Sequence, residues 1–216
     1  MMEYKTQAPN LGSVVSVRGS VVDVRFETQI NTHREKPIMK RMLIVLAGLI
    51  VVSGALARGQ PLQVSLTPDV AIFDRSERIE GLCLSLWGEN PQSALALGLV
   101  NGSTRQSAGL SWAFILNYAD SYTGIHWAPI NYTKSDFLGW QGGFVNYTGV
   151  AMKGLQSGFV NYAGRLTGLQ FGFVNFAATA QTGAQIGLIN LIPQNAWFRE
   201  LPDELAPVMI FVNWRF

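Results

Sequence analysis

An asparagine recurs every 14 to 16 residues through the second half of the chain, and this period constrains the fold more than any other feature. A glycine keeps the same rhythm and stands seven residues before the asparagine in five of six units, and eight before it in the Gly109 unit. Self-similarity at a fixed period is typical of architectures in which each unit packs only against its neighbours. The asparagines are Asn101, Asn117, Asn131, Asn146, Asn161, Asn175 and Asn190, and the glycines are Gly109, Gly124, Gly139, Gly154, Gly168 and Gly183.

Each unit reads glycine, aliphatic, glutamine or similar, variable, glycine or alanine, bulky apolar, valine or isoleucine, asparagine, aromatic, and the copy from Gly154 to Tyr162 shows this clearly. Degenerate copies at residues 81–88, at 94–101 and around Trp214 bring the count to about nine units. No window has a helical period. The pattern therefore predicts an all-β chain in which each unit is a strand of about eight residues followed by a turn of about six.

Two architectures can bury such a pattern. In a β-solenoid each unit is one coil and equivalent residues stack about 4.8 Å apart, so the asparagines would form an internal or corner ladder of amides. Gln141, Gln156, Gln170 and Gln185 would stack on a second line. In the alternative architecture, an antiparallel β-barrel, each unit is one strand.

The chain end favours the barrel, because alternate residues from Val208 are apolar or aromatic and the last residue is Phe216. This end resembles the C-terminal strand of bacterial outer-membrane barrels. Such barrels pair short turns with long outer loops, whereas the connections here have nearly equal lengths. Antiparallel neighbours also give no reason for an asparagine at the same end of every unit. The uniform phase therefore favours the solenoid, with local irregularity expected at Pro129, which lacks a ladder donor.

The units resemble those of bacterial secreted or surface-exposed repeat proteins, which read Gly-Leu-Gln-x-Gly-Phe/Leu-Val/Ile-Asn-x. The resemblance covers residues 80–216 approximately, and residues 81–216 are predicted to form the repeat domain behind an N-terminal strand or cap at 58–80. It implies an exported envelope protein and supplies no catalytic residues.

A signal peptide is predicted at residues 39–57. Lys40 and Arg41 form its basic start, residues 42–52 are uninterruptedly apolar, and an A-x-A cleavage site ends at Ala57. Eleven apolar residues are short for a membrane span of about 20. We therefore expect the mature protein to begin after Ala57 and to reside in the periplasm, in the outer membrane or on the cell surface.

Residues 1–38 are predicted to be an extraneous extension. Residues 10–30 approximately alternate with valine in two short stretches separated at Arg18–Ser20, and they resemble the extreme N-terminus of the F-type ATP synthase beta subunit. A nucleotide-binding subunit needs a phosphate loop with a Gly-Lys pair, and the chain has no such pair. The resemblance therefore implies no ATPase activity.

The charge distribution gives no reason to expect a nucleic-acid partner. The net charge of +2 comes from residues 1–57, which carry seven Lys/Arg and four Asp/Glu, whereas residues 58–216 carry nine and ten. Only seven charged residues lie between positions 81 and 191. A basic patch of the kind that binds phosphate backbones is thus not expected in the mature segment.

Catalytic and metal-binding constellations are also not predicted. His126 and Cys83 lie three units apart, so a stacked array would hold them more than about 10 Å from each other. His126 takes the place of glutamine and is expected on the surface, while Cys83 is expected to be a small buried apolar residue. Asp120 and Asp136 are interpreted as solvated turn residues, and no cofactor is expected.

One row of aromatic residues is a candidate binding platform: Tyr118, Tyr132, Tyr147, Tyr162 and Phe176. Exposed rings at equal spacing would suit a glycan or an envelope polymer, whereas buried rings would simply be core. The sequence thus predicts an exported, non-enzymatic scaffold with structural or adhesive work. The alternative is an integral outer-membrane barrel acting as a pore or anchor.

Overall fold

The computed structural model describes residues 13–18, 21–25 and 59–216, and these fall into two units. In the first unit, β1 (Ser13–Arg18) and β2 (Val21–Arg25) pair as an antiparallel hairpin with a register shift between Val14 and Ser16. The signal peptide predicted at residues 39–57, and the rest of the extension, lie outside the described residues.

The second unit consists of strands that pair mainly in parallel. The sheet runs in the order β10-β9-β7-β6-β5-β3-β4, and β8 pairs with both β6 and β9. Its strands are β3 (Gln60–Thr67), β4 (Val70–Ala71), β5 (Ile79–Asn90), β6 (Ser93–Trp127), β7 (Ile130–Thr133), β8 (Asp136–Gly142), β9 (Val145–Leu191) and β10 (Val208–Arg215).

The register of the parallel pairs equals the sequence period. Gly124 pairs with Gly139 and Gly139 with Gly154, which places residues 15 positions apart on adjacent coils. The β-solenoid favoured by the sequence is therefore confirmed, with about seven turns and a spacing of about 15 residues. The alternative of an antiparallel barrel is wrong, because consecutive units run in the same direction.

The opening glycine of each unit forms a tight corner. Gly109, Gly124, Gly139, Gly154 and Gly168 have φ angles between 120° and 133°, a range that L side chains rarely adopt. A Cβ atom on Gly154 would lie 2.1 Å from the carbonyl oxygen of Gly139 on the preceding coil. Both the backbone conformation and the closeness of the coils therefore require glycine there.

The predicted division of each unit into a strand and a turn is wrong. β6 continues for 35 residues and β9 for 47 residues, so each passes through several corners without losing its ladder. The small residues that suggested turns, such as Ala163 and Ala177, are instead buried and face a narrow interior.

Strand pairing is interrupted where proline was expected to disturb it. β6 ends at Trp127 and β7 begins at Ile130, so Ala128 and Pro129 separate them. The free carbonyl of Pro129 accepts hydrogen bonds from the amides of both Phe144 and Val145 on the next coil, at 2.8 and 2.9 Å. The irregularity is therefore local, and the stack continues past it.

Antiparallel strands close both ends of the stack. β4 folds back on β3, and β10 runs antiparallel to the last coil, with Val208 opposite Leu191 and Arg215 opposite Gly183. The copy of the repeat around Trp214 is thus a cap and not a further coil, which is one reason for finding about seven turns instead of about nine units.

Among residues 13–18, 21–25 and 59–216, no helix is long and apolar enough to cross a membrane.

Replacing the corner glycine Gly154 with alanine should destabilise the solenoid by at least about 2 kcal/mol, because it combines backbone strain with a clash against the preceding coil. Gly183 is the matched control, since it holds the same place in the last coil but lacks the positive φ. Urea unfolding followed by circular dichroism should give a clearly smaller loss for Gly183→Ala. Equal losses would contradict the role assigned to the corner.

Candidate functional site

The repeated asparagines form a ladder inside the solenoid. All seven are at most 2% exposed. From Asn117 to Asn190, each Nδ2 donates to the Oδ1 of the next asparagine at 2.8–3.0 Å. The ladder thus joins six coils by side-chain amides as well as by backbone hydrogen bonds.

The first step of this ladder is bridged by a hydroxyl group. Asn101 and Asn117 are 16 residues apart, and Ser111 lies between them. The amide of Asn101 donates to Ser111 Oγ at 3.0 Å, and that hydroxyl donates to Asn117 Oδ1 at 2.8 Å. A longer coil is therefore accommodated without leaving either amide unpaired.

Each ladder amide also bonds to the backbone, which requires a small residue beside it. The Nδ2 of Asn146 donates to the carbonyl of Ser157 at 3.1 Å, and the Nδ2 of Asn161 to that of Phe171 at 3.1 Å. A Cβ atom on Gly158 would lie 2.6 Å from Asn146 Nδ2, and one on Gly172 would lie 2.5 Å from Asn161 Nδ2. The second glycine of the unit is thus the space that the amide needs.

A second ladder consists of glutamines. Gln156 donates to Gln141 at 2.7 Å, Gln170 to Gln156 at 2.8 Å and Gln185 to Gln170 at 2.7 Å, and all four side chains are fully buried. Gln141 Oε1 also accepts from the Thr148 hydroxyl at 3.0 Å, and the Gln156 amide donates to the carbonyl of Tyr162 at 3.1 Å. Buried amides are therefore well satisfied along this line.

His126 stands at the head of the glutamine line and is fully buried, so its predicted surface position is wrong. Its ring lies 4.0 Å from the Tyr122 ring and 5.1 Å from the Phe137 ring, measured between centroids. Neither imidazole nitrogen has a hydrogen-bond partner within residues 59–216. Burial lowers the pKa of His126 to about 3, which keeps the imidazole neutral.

An apolar row fills the rest of the interior. Tyr122, Phe137, Met152 and Leu166 follow one another on successive coils and are at most 2% exposed. The sequence did not predict this row, because its residue types change from coil to coil. Only the repeated burial phase, not composition, connects them.

Cys83 is buried, as the sequence predicted, and packs against Ile79, Ala94 and Ala96. Its thiol donates to Gln92 Oε1 at 3.1 Å, and burial raises its pKa to about 12. The thiol is therefore not poised to act as a nucleophile, which requires the thiolate.

The candidate platform of aromatic residues lies on the outer surface and is partly exposed. The ring pairs Tyr132–Tyr147, Tyr147–Tyr162 and Tyr162–Phe176 are stacked, with centroids 4.7–5.2 Å apart and interplanar angles of at most 7°. Tyr118 stands apart from this stack, and its hydroxyl donates to Glu89. Because the stacked rings cover one another's faces, they present edges and hydroxyl groups to solvent.

A second aromatic row was missed by the sequence analysis. Phe144, Phe159 and Phe173 are stacked 4.7–4.9 Å apart within 5° of parallel, and each is more than 40% exposed. The signal was the bulky apolar residue five positions after the opening glycine. That residue was read as part of the core because it is phenylalanine.

The charged residues lie on the remaining side of the coil. Asp120 is exposed and accepts a hydrogen bond from the Arg105 amide at 2.8 Å. Asp136, Lys153 and Arg165 border a shallow groove of about 450 Å³. Within residues 59–216 no group of three or more His, Cys, Asp or Glu side chains comes close enough to hold a metal ion.

Comparison of the chain with known protein families, with curated proteins and with solved structures finds no match.

Replacing Asn161 with alanine should lower the free energy of unfolding by about 3 kcal/mol, because it removes the partners of two buried amides. Gln181→Ala is the matched control, since it removes an exposed amide from the same stack and should change stability by less than about 0.5 kcal/mol. Chemical denaturation measures both values. Equal values for the two variants would show that the ladder does not hold the coils together.

His126 should make the fold sensitive to acid. The unfolded imidazole binds a proton near pH 6.5, whereas the folded one stays neutral down to about pH 3. Stability should thus be complete above pH 6.5 and fall below it, by up to ~1.4 kcal/mol per pH unit.

The variant His126→Gln places the ladder residue at this position and should remove the contribution of His126 to that slope, as measured by urea unfolding at several pH values. His33→Gln, which changes the chain's other histidine, is the control for loss of an imidazole. An unchanged slope in His126→Gln would refute the assignment.

Proposed function

We propose that the chain is an exported, non-enzymatic β-solenoid scaffold of the bacterial cell envelope or surface, with structural or adhesive work. The observation that carries this proposal is the pair of amide ladders. They connect the coils from within, so the outer side chains are free to meet a partner.

Stiffness supports a structural role. Each coil is bonded to the next by parallel backbone pairs and by at least one side-chain amide through most of the stack. Repeats of this kind behave as one-dimensional arrays whose stability comes from contacts between neighbours. Such an array holds surface groups at fixed intervals of about 4.8 Å.

The state of the titratable side chains supports a non-enzymatic role. The two most reactive groups, His126 and Cys83, are buried, and their pKa values lie at about 3 and about 12. General base and nucleophilic catalysis need groups that titrate near neutral pH and meet the substrate. These two groups satisfy neither condition.

Export is supported by the sequence of residues 39–57, with its basic start, apolar segment and A-x-A site. A scaffold with one buried cysteine in its described part also needs no disulfide to fold in an oxidising compartment.

Binding of a glycan or an envelope polymer remains a prediction, and the stacking defines its form. Sugars often pack on the open faces of aromatic rings, but the faces of Tyr147 and Tyr162 cover each other. A polymer that binds this row would therefore contact ring edges and tyrosine hydroxyls. Its repeat would match the interval between coils.

Expression of the full chain in a Gram-negative host tests the proposal. We expect the protein in the envelope fraction or the medium, with Arg58 as the new N-terminus by Edman sequencing. Ala55→Leu and Ala57→Leu together should block cleavage, because the cleavage site requires small residues. The matched control, Leu56→Val, changes the residue between them and should be processed normally.

An uncleaved wild-type chain that stays in the cytoplasm would overturn the proposed export. Turnover or covalent labelling of Cys83 by an electrophile in the native protein would overturn the non-enzymatic role.

A further inference from the structure

One arc of every coil carries no charge. It extends from the opening glycine to the residue after the asparagine, which is nine of about 15 residues. No Asp, Glu, Lys or Arg occurs in any of the seven arcs, although the coils include charged residues elsewhere. The arcs comprise residues 94–102, 109–117, 124–132, 139–147, 154–162, 168–176 and 183–191.

Large apolar side chains project outwards from this uncharged arc. Phe114 is 65% exposed, Phe144 59% and Phe171 56%. Three tryptophans also lie on it, each at least 40% exposed: Trp112, Trp127 and Trp140. A continuous apolar surface of this extent is unusual on a monomeric protein and marks a contact surface.

The remaining side of the coil, here called the polar edge, carries the charge. Arg105, Asp120, Lys134, Asp136, Lys153 and Arg165 all fall in the segments between the arcs. Four of these six are cations. The solenoid is therefore amphipathic about its long axis, with one polar side along its length.

Folding does not require the arc to be apolar. The interior is held by amides, hydroxyls and small residues, while the outer residues of the arc make few buried contacts. Apolar side chains that are left in water at so many equivalent positions indicate a partner that removes them from water.

The backbone beneath the arc is already satisfied. Every strand of the stack between the end strands β4 and β10 pairs on both sides, so the arc presents side chains and not open hydrogen-bonding groups. An apolar phase can cover such a surface without the cost of burying unpaired amides.

We infer that the solenoid lies along a lipid bilayer, with the uncharged arc immersed in its outer layer and the polar edge facing water. This rests on the proposed function, since an exported envelope scaffold has such a surface beside it. Amphipathic helices bind bilayers in the same way, with the apolar face in the acyl boundary and the charged face outside.

The extent of the arc favours lipid over a second copy of the chain. Nine of 15 residues of a closed coil occupy more than half of its perimeter, so the arc curves around the solenoid. A rigid copy would contact one flat part of it and leave the rest in water. Fluid acyl chains adapt to the whole curve.

Amphipathic aromatic residues mark one boundary of the arc. Tyr132, Tyr147 and Tyr162 follow the ladder asparagines and come immediately before the polar edge. Their rings stack on the apolar side, and their hydroxyl groups are free to meet headgroups. Tyrosine and tryptophan are enriched at this depth in membrane proteins.

Tryptophan fluorescence of the full chain tests the inference. All six tryptophans lie within the described residues 59–216, so the signal excludes the apolar segment of the signal peptide. Phosphatidylcholine vesicles with brominated acyl chains should quench this fluorescence, because bromine acts only at short range. Vesicles without bromine should not quench it.

The double variant Phe144→Lys/Phe171→Lys places two charges in the arc and should bind the vesicles about tenfold more weakly. The matched control, Gln106→Lys/Gln181→Lys, adds the same charge on the polar edge and should bind like the wild type. Circular dichroism shows whether both variants keep the wild-type fold. If the first one unfolds, Phe144→Ser/Phe171→Ser replaces it, with the same direction of effect.

Absence of quenching in the wild type would overturn the inference, as would equal binding by the arc variant and the control. A dimer in light scattering that is not quenched by brominated lipid would show that a second copy covers the arc. A chain that is quenched but retained in the cytoplasm would overturn only the proposed export. An exported chain that is not quenched would overturn only the lipid contact.

Discussion

The hydrogen bond from one side-chain amide to the next is the interaction on which the rest of this structure depends. An amide is both donor and acceptor, so a column of identical amides satisfies itself at the spacing of stacked strands. That requirement explains why the asparagine keeps its place when the coil shortens to 14 residues, as between Asn161 and Asn175. It also explains the serine that bridges the longer step at Asn101.

With amides at the centre, the distribution of polarity differs from that of an ordinary globular domain. Buried polar residues such as Gln156 and Asn161 occupy the interior, and large apolar residues such as Phe144 and Phe171 stand outside. Buried amides stabilise a fold only if each finds partners, and the regular stack supplies them. The outer surface is thereby available for selection on contacts instead of folding.

The all-β repeat, its period and the asparagine line could be predicted from the sequence because they depend on residue types that recur. Strand boundaries could not, since a corner glycine with positive φ and a turn glycine look the same in sequence. The buried position of His126 was also missed, because a single imidazole in a line of amides suggests a change of environment. In the structure the environment is unchanged and the residue lacks partners instead.

The two ends of the stack differ from its middle in a way that affects how such a protein changes over evolutionary time. β10 recognises only the last coil, and β4 only the first strand of the stack. A duplication or loss of one whole unit within β9 would therefore lengthen or shorten the array and leave both terminal strands with their original partners. The length of the array is in this sense an inherited variable, adjustable in steps of one coil, while its ends stay constant.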